Sequence, residues 1–181
     1  MLCALSVITP TAGDIMTKRL GLSFQTDTPP QWERFIKEYT GHPFQYGATF
    51  PYERIDLTDV RWRLMCAIQR EVGELIRYKH DSAGNDHWQI FLKEWGVSGD
   101  CEDFALTKRM LLLEAGFPMG AVWPVLCKKD GAGHMVTVVS TTEKDFVMDI
   151  EPYNWIHDAE GSKVEWISAY DGKQWRLCSL V

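Results

Sequence analysis

Three carboxylates surround one cysteine in the run Gly-Asp-Cys-Glu-Asp at residues 99–103. Helix-forming residues follow as far as Ala115, and Gly116 and Pro118 predict the end of that helix. Cys101 therefore falls at a predicted helix N-terminus, where free backbone N–H groups and the helix dipole stabilise a thiolate. The thiolate is the nucleophilic form of cysteine, so the position favours covalent catalysis. The alternative is that Cys101 is a small buried apolar residue, as most free cysteines are.

A cysteine nucleophile needs a histidine as base and a third group that orients the histidine. His134 opens a predicted strand after a glycine-rich turn, and Asp149 lies in the predicted strand Phe-Val-Met-Asp-Ile. A hairpin with a two-residue loop at Thr141 and Thr142 would place His134 opposite Asp149. A buried aspartate needs such a partner, because an unpaired buried charge is costly. Cys101, His134 and Asp149 are thus predicted to form a catalytic triad.

The acids around the cysteine admit two interpretations. Asp100 can cap the helix, with Glu102 and Asp103 in its first turn, where acids complement the helix dipole. Alternatively, the three carboxylates bind a divalent cation, which offsets their mutual repulsion and their effect on the thiol pKa. Hard carboxylate oxygens suit Ca²⁺. The residues alone leave both interpretations open.

The elements that must position these residues change type in the middle of the chain. Helices are predicted from Thr28-Pro29-Pro30-Gln31 (a T-x-x-Q capping box with proline at the first position), from Thr58-Asp59, and, as a short segment, from Asp86. After Pro118 the apolar period changes to two, which predicts antiparallel strands. Helices followed by strands indicate an α+β domain in which helices pack on one sheet.

The composition is that of an ordinary soluble globular protein. Of 181 residues, 45% are hydrophobic and 24% charged, enough for one domain with its own core. The net charge of −6 argues against a nucleic-acid-binding surface. Five cysteines without a C-x-x-C pair argue against a disulfide framework or a structural zinc site. No apolar run approaches the roughly 18 residues of a membrane span.

The run Gly-Asp-Cys-Glu-Asp-Phe-Ala, the later small-His-Met-Val strand and the aspartate of the next strand resemble the bacterial transglutaminase-like cysteine proteinases. The likeness extends from about Leu64 to Leu180 and includes Trp88 and Gln174-Trp175. It implies a papain-like/transglutaminase-like α+β fold. It also implies a thiol protease that transfers a peptide acyl group to cysteine and then to water, using the triad predicted above.

The resemblance also bears on cofactor and substrate. The best-known members are periplasmic, calcium-dependent proteases that clip biofilm adhesins. Asp100 and Glu102 match the family's calcium ligands, with Asp103 as a weaker third candidate, so the resemblance favours a calcium site over simple capping. We therefore expect a protein or peptide as substrate and calcium as cofactor.

Three other functions use the same fold. A cell-wall peptide amidase or peptidase, such as one encoded by a phage, would apply the same triad to a peptidoglycan stem peptide. A transglutaminase would pass the acyl group to an amine instead of water. A non-catalytic structural module would keep the fold alone, but a scaffold has no physical need for all three triad residues.

The start of the chain departs from the family pattern. Family members usually carry an export signal, whereas residues 1–10 lack a basic n-region and break at Pro10. We therefore expect a cytoplasmic or phage-associated protein rather than an exported one. Residues 1–27 show no periodicity and are predicted to be an N-terminal extension, followed by a single domain at residues 28–181.

Overall fold

The computed structural model describes residues 18–39, 53–81, 86–92, 96–150 and 155–181. Its helices are α1 (Pro30–Glu38), α2 (Asp59–Leu75) and α3 (Cys101–Glu114), with 3₁₀ turns at Met119–Ala121 and Ala159–Gly161. Its strands are β1 (Leu20–Gln25), β2 (Ile76–Tyr78), β3 (Val97–Gly99), β4 (Val122–Lys129), β5 (Ala132–Ser140), β6 (Asp145–Met148), β7 (Ile156–Asp158), β8 (Glu165–Tyr170) and β9 (Trp175–Leu180). Within these ranges, no helix is both long and apolar enough to span a membrane.

Seven strands form one antiparallel sheet in the order β1-β9-β8-β4-β5-β6-β7, while β2 and β3 form a small parallel pair. Helix α3 packs against β4 and β5 at the centre of the large sheet, and α2 packs on α3. The α+β fold with helices on an antiparallel sheet is therefore confirmed. Strand β3 leads directly into α3, so the small parallel pair positions the N-terminus of α3, where the candidate nucleophile Cys101 lies.

Apolar side chains fill both faces of the large sheet. On the helical face, Leu112 of α3 packs with Met65 of α2, and Leu106 packs with the aromatic residues Trp32 and Trp175. On the opposite face, the sheet curls around a separate cluster that includes Trp123. Helix α3 is buried along most of its length. Its N-terminus is thus held in place by packing from several sides.

Helix ends follow the local signals in most cases. Gly116 has φ of +86°, the left-handed conformation predicted after α3. Thr58 caps α2 by accepting a hydrogen bond from the Arg61 N–H at 3.2 Å. A proline occupies the first position of α1 as predicted, but it is Pro30, one residue later than the capping box implies; the capping box is wrong, because Pro29 and not Thr28 is the N-cap and no side chain caps this helix. Gly41, predicted to end α1, lies outside the described residues.

The short helix predicted from Asp86 is wrong for residues 86–92, which have no regular structure. Their backbone N–H groups donate to side chains of other elements instead of to a helix. Gln89 donates to Asp103 at 2.8 Å, Ile90 to the Tyr39 hydroxyl at 2.9 Å, and Phe91 to the Thr107 hydroxyl at 3.1 Å; Trp95, predicted on the same helix, lies outside the described residues. Tertiary contacts therefore satisfy the groups that a helix would have paired internally.

The predicted register of β5 and β6 is wrong by two residues. Val138, not Val136, lies opposite Val147. The loop has four residues rather than two, because the Thr141 N–H and hydroxyl both donate to the Lys144 carbonyl, at 3.1 and 2.6 Å. A shift of two keeps every side chain on its predicted face.

Part of the predicted N-terminal extension belongs to the sheet. Strand β1 pairs with β9 in antiparallel fashion, with Leu20 opposite Leu180. The Leu20 N–H also donates to the buried Asp145 carboxylate at 2.8 Å. The boundary between residues 1–27 and 28–181 stays a prediction, and residues 1–17 lie outside the described part of the chain.

Candidate active site

Cys101 is the first residue of α3 and is partly buried. Its sulfur lies 3.2 Å from Oε2 of Glu102. The backbone N–H of Met135 also hydrogen-bonds to this sulfur. Since Met135 directly follows His134, this contact brings the start of α3 against the histidine-bearing end of β5.

His134 and Asp149 are in direct contact, with 2.8 Å between His134 Nε2 and Asp149 Oδ1. The Ile150 N–H donates to the same carboxylate oxygen at 2.6 Å, and Lys129 Nζ lies 3.1 Å from Oδ2. With Nε2 engaged by Asp149, Nδ1 is the His134 nitrogen left for a nucleophile. Asp149 lies just past the end of β6, diagonal to His134 on the same face, so the two-residue register shift preserves the contact.

Cys101 and His134 line one cavity of about 560 Å³. The part of the cavity wall next to Cys101 is acidic, and apolar side chains form much of the remaining wall. Those apolar residues are Tyr78, Trp88, Leu126, Met135 and Ile150. This volume is within the range of ligand-binding pockets, and the wall carries a thiol and an imidazole.

The acidic wall gathers carboxylates from two segments. Asp81, Asp86 and Glu102 each offer an oxygen, and these oxygens lie within 4.8 Å of one another. Asp100 is 8% exposed, and its Oδ2 accepts a hydrogen bond from the Asp81 N–H at 3.1 Å. Its Oδ1 is buried without a hydrogen-bond partner among the described residues. Hard oxygen donors at this spacing suit a calcium ion.

Asp103 forms a capping box with Asp100, the N-cap residue of α3. Its Oδ2 accepts from the Asp100 N–H at 3.3 Å, while Oδ1 accepts from the Gln89 N–H at 2.8 Å. It therefore caps α3 and holds the loop that carries Trp88. Gly99 leaves room for this arrangement, since a Cβ there would lie only 2.8 Å from Asp103 Cβ.

Burial and the repulsion between negative charges raise the pKa values of Cys101, Glu102 and Asp103. Burial, the Glu102 carboxylate and Asp100 raise the pKa of Cys101 well above its usual value, although the Met135 N–H opposes them. Burial and the Asp100 carboxyl raise the pKa of Glu102 to about 9. Burial likewise raises the pKa of Asp103 to about 7. Without added positive charge, the surroundings of Cys101 therefore favour the protonated thiol.

The opposite holds for Asp149. Burial alone would raise its pKa, but the hydrogen bond and charge of His134, together with Lys129, hold that pKa well below its usual range. Asp149 is therefore a carboxylate at neutral pH.

Asp149 is expected to make folding stability fall on acidification. A carboxyl with a lowered folded-state pKa stabilises the fold above its unfolded pKa of about 3.9, and this stabilisation is lost as the pH falls through the folded value. The melting temperature of Asp149→Asn should therefore lie furthest below that of the wild type near neutral pH, and the gap should narrow from about pH 5 to pH 2. A gap independent of pH would contradict the assignment of a charged, paired Asp149.

A family model for bacterial transglutaminase-like cysteine proteinases matches residues 23–176. The chain belongs to this family. It is therefore a transglutaminase-like cysteine protease, and it acts on a protein substrate. No curated protein matches the sequence.

Solved structures of similar fold come from Legionella pneumophila. Calcium-bound LapG is 19% identical with a TM-score of 0.58, and the match covers 67% of this chain and 71% of that one. EGTA-treated LapG is 20% identical with a TM-score of 0.56, covering 67% and 69%. At this identity the comparison supports the fold.

The structure brings together most of the residues that the sequence singled out. The predicted contact of His134 with Asp149 is present, and Cys101 and His134 line the same cavity. Asp100 and Glu102 line the cavity as well, whereas both oxygens of Asp103 accept backbone hydrogen bonds.

Sequence reasoning missed three residues near the site, Asp81, Asp86 and Lys129. The two acids lie on either side of residues 82–85, a turn-forming stretch before the Gly-Asp-Cys-Glu-Asp run. This position is the signal in the sequence that could have revealed them. Lys129 precedes the Asp130-Gly131 turn, where both residues have positive φ, so a tight hairpin returns the chain to His134.

Proposed function

We propose that Cys101, His134 and Asp149 form the catalytic triad of a peptidase that hydrolyses peptide bonds. The observation that carries the proposal is that a helix N-terminal cysteine and a histidine line one cavity, and that the histidine is held by a carboxylate. The Met135 N–H contact to the sulfur supports it, because it ties the nucleophile to the strand that bears His134.

The reaction proceeds in two halves. His134 Nδ1 takes the thiol proton, Cys101 Sγ bonds to the peptide carbonyl carbon, and the carbon–nitrogen bond breaks as His134 returns the proton to the leaving amine. Water then attacks the thioester with His134 as base, which releases the acid product and the thiol. Asp149 holds the imidazole in orientation and stabilises its charged form. Backbone N–H groups at the start of α3 are the oxyanion donors nearest the nucleophile.

We further propose that calcium binds at Asp81, Asp86, Asp100 and Glu102. The Oδ1 of buried Asp100, which has no hydrogen-bond partner within the described ranges, and the three clustered carboxylates provide a fitting donor set. When bound, the ion supplies positive charge that offsets the carboxylates beside the thiol. Asp103 is not in this set, because its oxygens cap α3 and bind the loop at Gln89.

Calcium is expected to raise the melting temperature, since a ligand that binds only the folded state stabilises it by mass action. At about 100 times the dissociation constant the gain is about 2.7 kcal/mol. EGTA should lower both melting temperature and peptidase activity, and calcium but not magnesium should restore them.

Two variants separate a metal site from a cap. Glu102→Gln should weaken calcium binding in isothermal titration calorimetry, whereas Asp103→Asn should lower stability yet retain the calcium-induced rise. Unchanged melting and full activity in excess EGTA would overturn the calcium proposal and leave the triad proposal standing.

Hydrolysis is tested against the competing acyl transfers with three substrates. A generic protein such as labelled casein should be cleaved, and a labelled primary amine should not be incorporated. Amine incorporation at the expense of cleavage would instead indicate a transglutaminase. Release of stem peptides from purified sacculi without cleavage of casein would indicate a cell-wall peptidase.

A further inference from the structure

Lys108 is a fully buried lysine in the middle of a helix whose other core positions are mostly apolar. Its ammonium group lies 5.9 Å from the centre of the Phe104 ring, one turn earlier on α3. Burial lowers the pKa of Lys108 to about 7, with the Asp149 charge acting in the opposite direction. A buried amine is costly unless it is well hydrogen-bonded, so its partners indicate why it is there.

Those partners are two backbone carbonyls at the end of β6. Lys108 Nζ donates to the Met148 oxygen at 3.2 Å and to the Asp149 oxygen at 3.1 Å. Gln69 Nε2 of α2 donates to the same Asp149 oxygen. The β5–β6 ladder ends at Met148, so Asp149 lies beyond the last pair of that ladder, and its carbonyl accepts from side chains. Two helices thus hold the backbone of the residue whose carboxylate contacts His134.

One of these helices also carries the nucleophile. Cys101 and Lys108 are seven residues apart on α3, two turns along nearly the same face and about 10 Å along the axis. A rigid helix therefore links the sulfur at its N-terminus to the carbonyl of Asp149. The distance between nucleophile and acid is set by this link as well as by the sheet.

We propose that Lys108 is a positioning residue of the triad: it holds the Asp149 backbone so that the carboxylate stays on His134. This inference rests on the proposed function. Lys108 touches no reacting atom and acts through Asp149. A lysine that served stability alone would occupy the same site, so the test must separate positioning from folding.

The test uses Lys108→Met, which keeps the length of the side chain and removes its donors. The probe is p-nitrophenyl acetate in excess calcium: the thiolate takes the acetyl group, p-nitrophenolate leaves, and water then releases acetate. We expect kcat to fall about 10- to 100-fold, the cost of a misplaced catalytic group, with KM little changed. Leu112→Ala, in the same helix and equally buried, should lower the melting temperature but leave kcat unchanged.

A double-mutant cycle with Asp149→Asn supplies the decisive readout. If Lys108 acts through Asp149, Lys108→Met should cost little further activity in the Asp149→Asn background. Equal fold losses in both backgrounds, or a wild-type kcat in Lys108→Met, would overturn the inference. Should Lys108→Met not fold, Gln69→Leu removes the second donor to the same carbonyl and must show the same non-additivity. Full activity of Asp149→Asn itself would overturn the proposed triad, whereas low activity there with full activity in Lys108→Met overturns this inference alone.

Discussion

Replacing Cys101 by alanine is expected to lower kcat by at least about 10⁴-fold, to the level that binding and oxyanion donors alone can support. The reason is chemical: without the sulfur no thioester forms, and the remaining groups can only assist direct attack by water. Steady-state hydrolysis of p-nitrophenyl acetate and of labelled casein measures the loss. The melting temperature should show that the variant is folded.

Cys66→Ala is the matched control. Cys66 is also a partly buried cysteine, but it lies within α2 and not at a helix N-terminus. Its removal should leave kcat unchanged. Loss of activity in Cys66→Ala with retention in Cys101→Ala would mean that the nucleophile has been misassigned.

The second large effect is expected for Asp149→Asn, which should lower kcat by about 10³- to 10⁴-fold with the fold intact. Three donors converge on this carboxylate, from His134, Ile150 and Lys129. An amide presents one oxygen and one NH₂ group, so it must face at least one of these donors with a donor. Where the NH₂ faces His134 it imposes the wrong tautomer, and in either orientation the charge that stabilises the imidazolium is gone.

Lys129→Met separates the contact with His134 from the other contacts of Asp149. It removes the partner of Oδ2 and leaves the 2.8 Å contact between Oδ1 and His134. A partly exposed ion pair contributes modestly, so the loss in kcat should stay below about tenfold. If Lys129→Met lowered kcat as much as Asp149→Asn does, the loss in Asp149→Asn would be explained by the Lys129 ion pair rather than by the His134 contact.

The sequence was most informative where local chemistry decides the structure. The start of α3 at Cys101 follows from acids that can cap it, and its end follows from Gly116, which adopts the required positive φ without steric cost. The alternation of apolar and polar residues in β5 and β6 correctly predicted that His134 and Asp149 lie on one face of the sheet. Successive side chains of a strand point to opposite faces, so this prediction does not need the exact register.

Errors arose where tertiary contacts decide the structure. The β5–β6 register depends on Thr141 hydrogen bonds that lengthen the loop, and residues 86–92 are shaped by side chains of α1 and α3. The grouping of Asp81 and Asp86 with Glu102 also requires the folded chain. Nothing in the sequence marks Lys108 as buried, because a lysine in a helix is usually exposed.

The most direct test of the triad is to trap and map the acyl-enzyme. The protein is acid-quenched during turnover of p-nitrophenyl acetate in calcium, and intact mass and peptide mapping locate the acetyl group. The account predicts one acetyl group, on the peptide that contains Cys101, formed more slowly in EGTA and much more slowly in His134→Ala. An acetyl group on Cys66, Cys127 or Cys178, or acylation of Cys101 at an undiminished rate in His134→Ala, would contradict it.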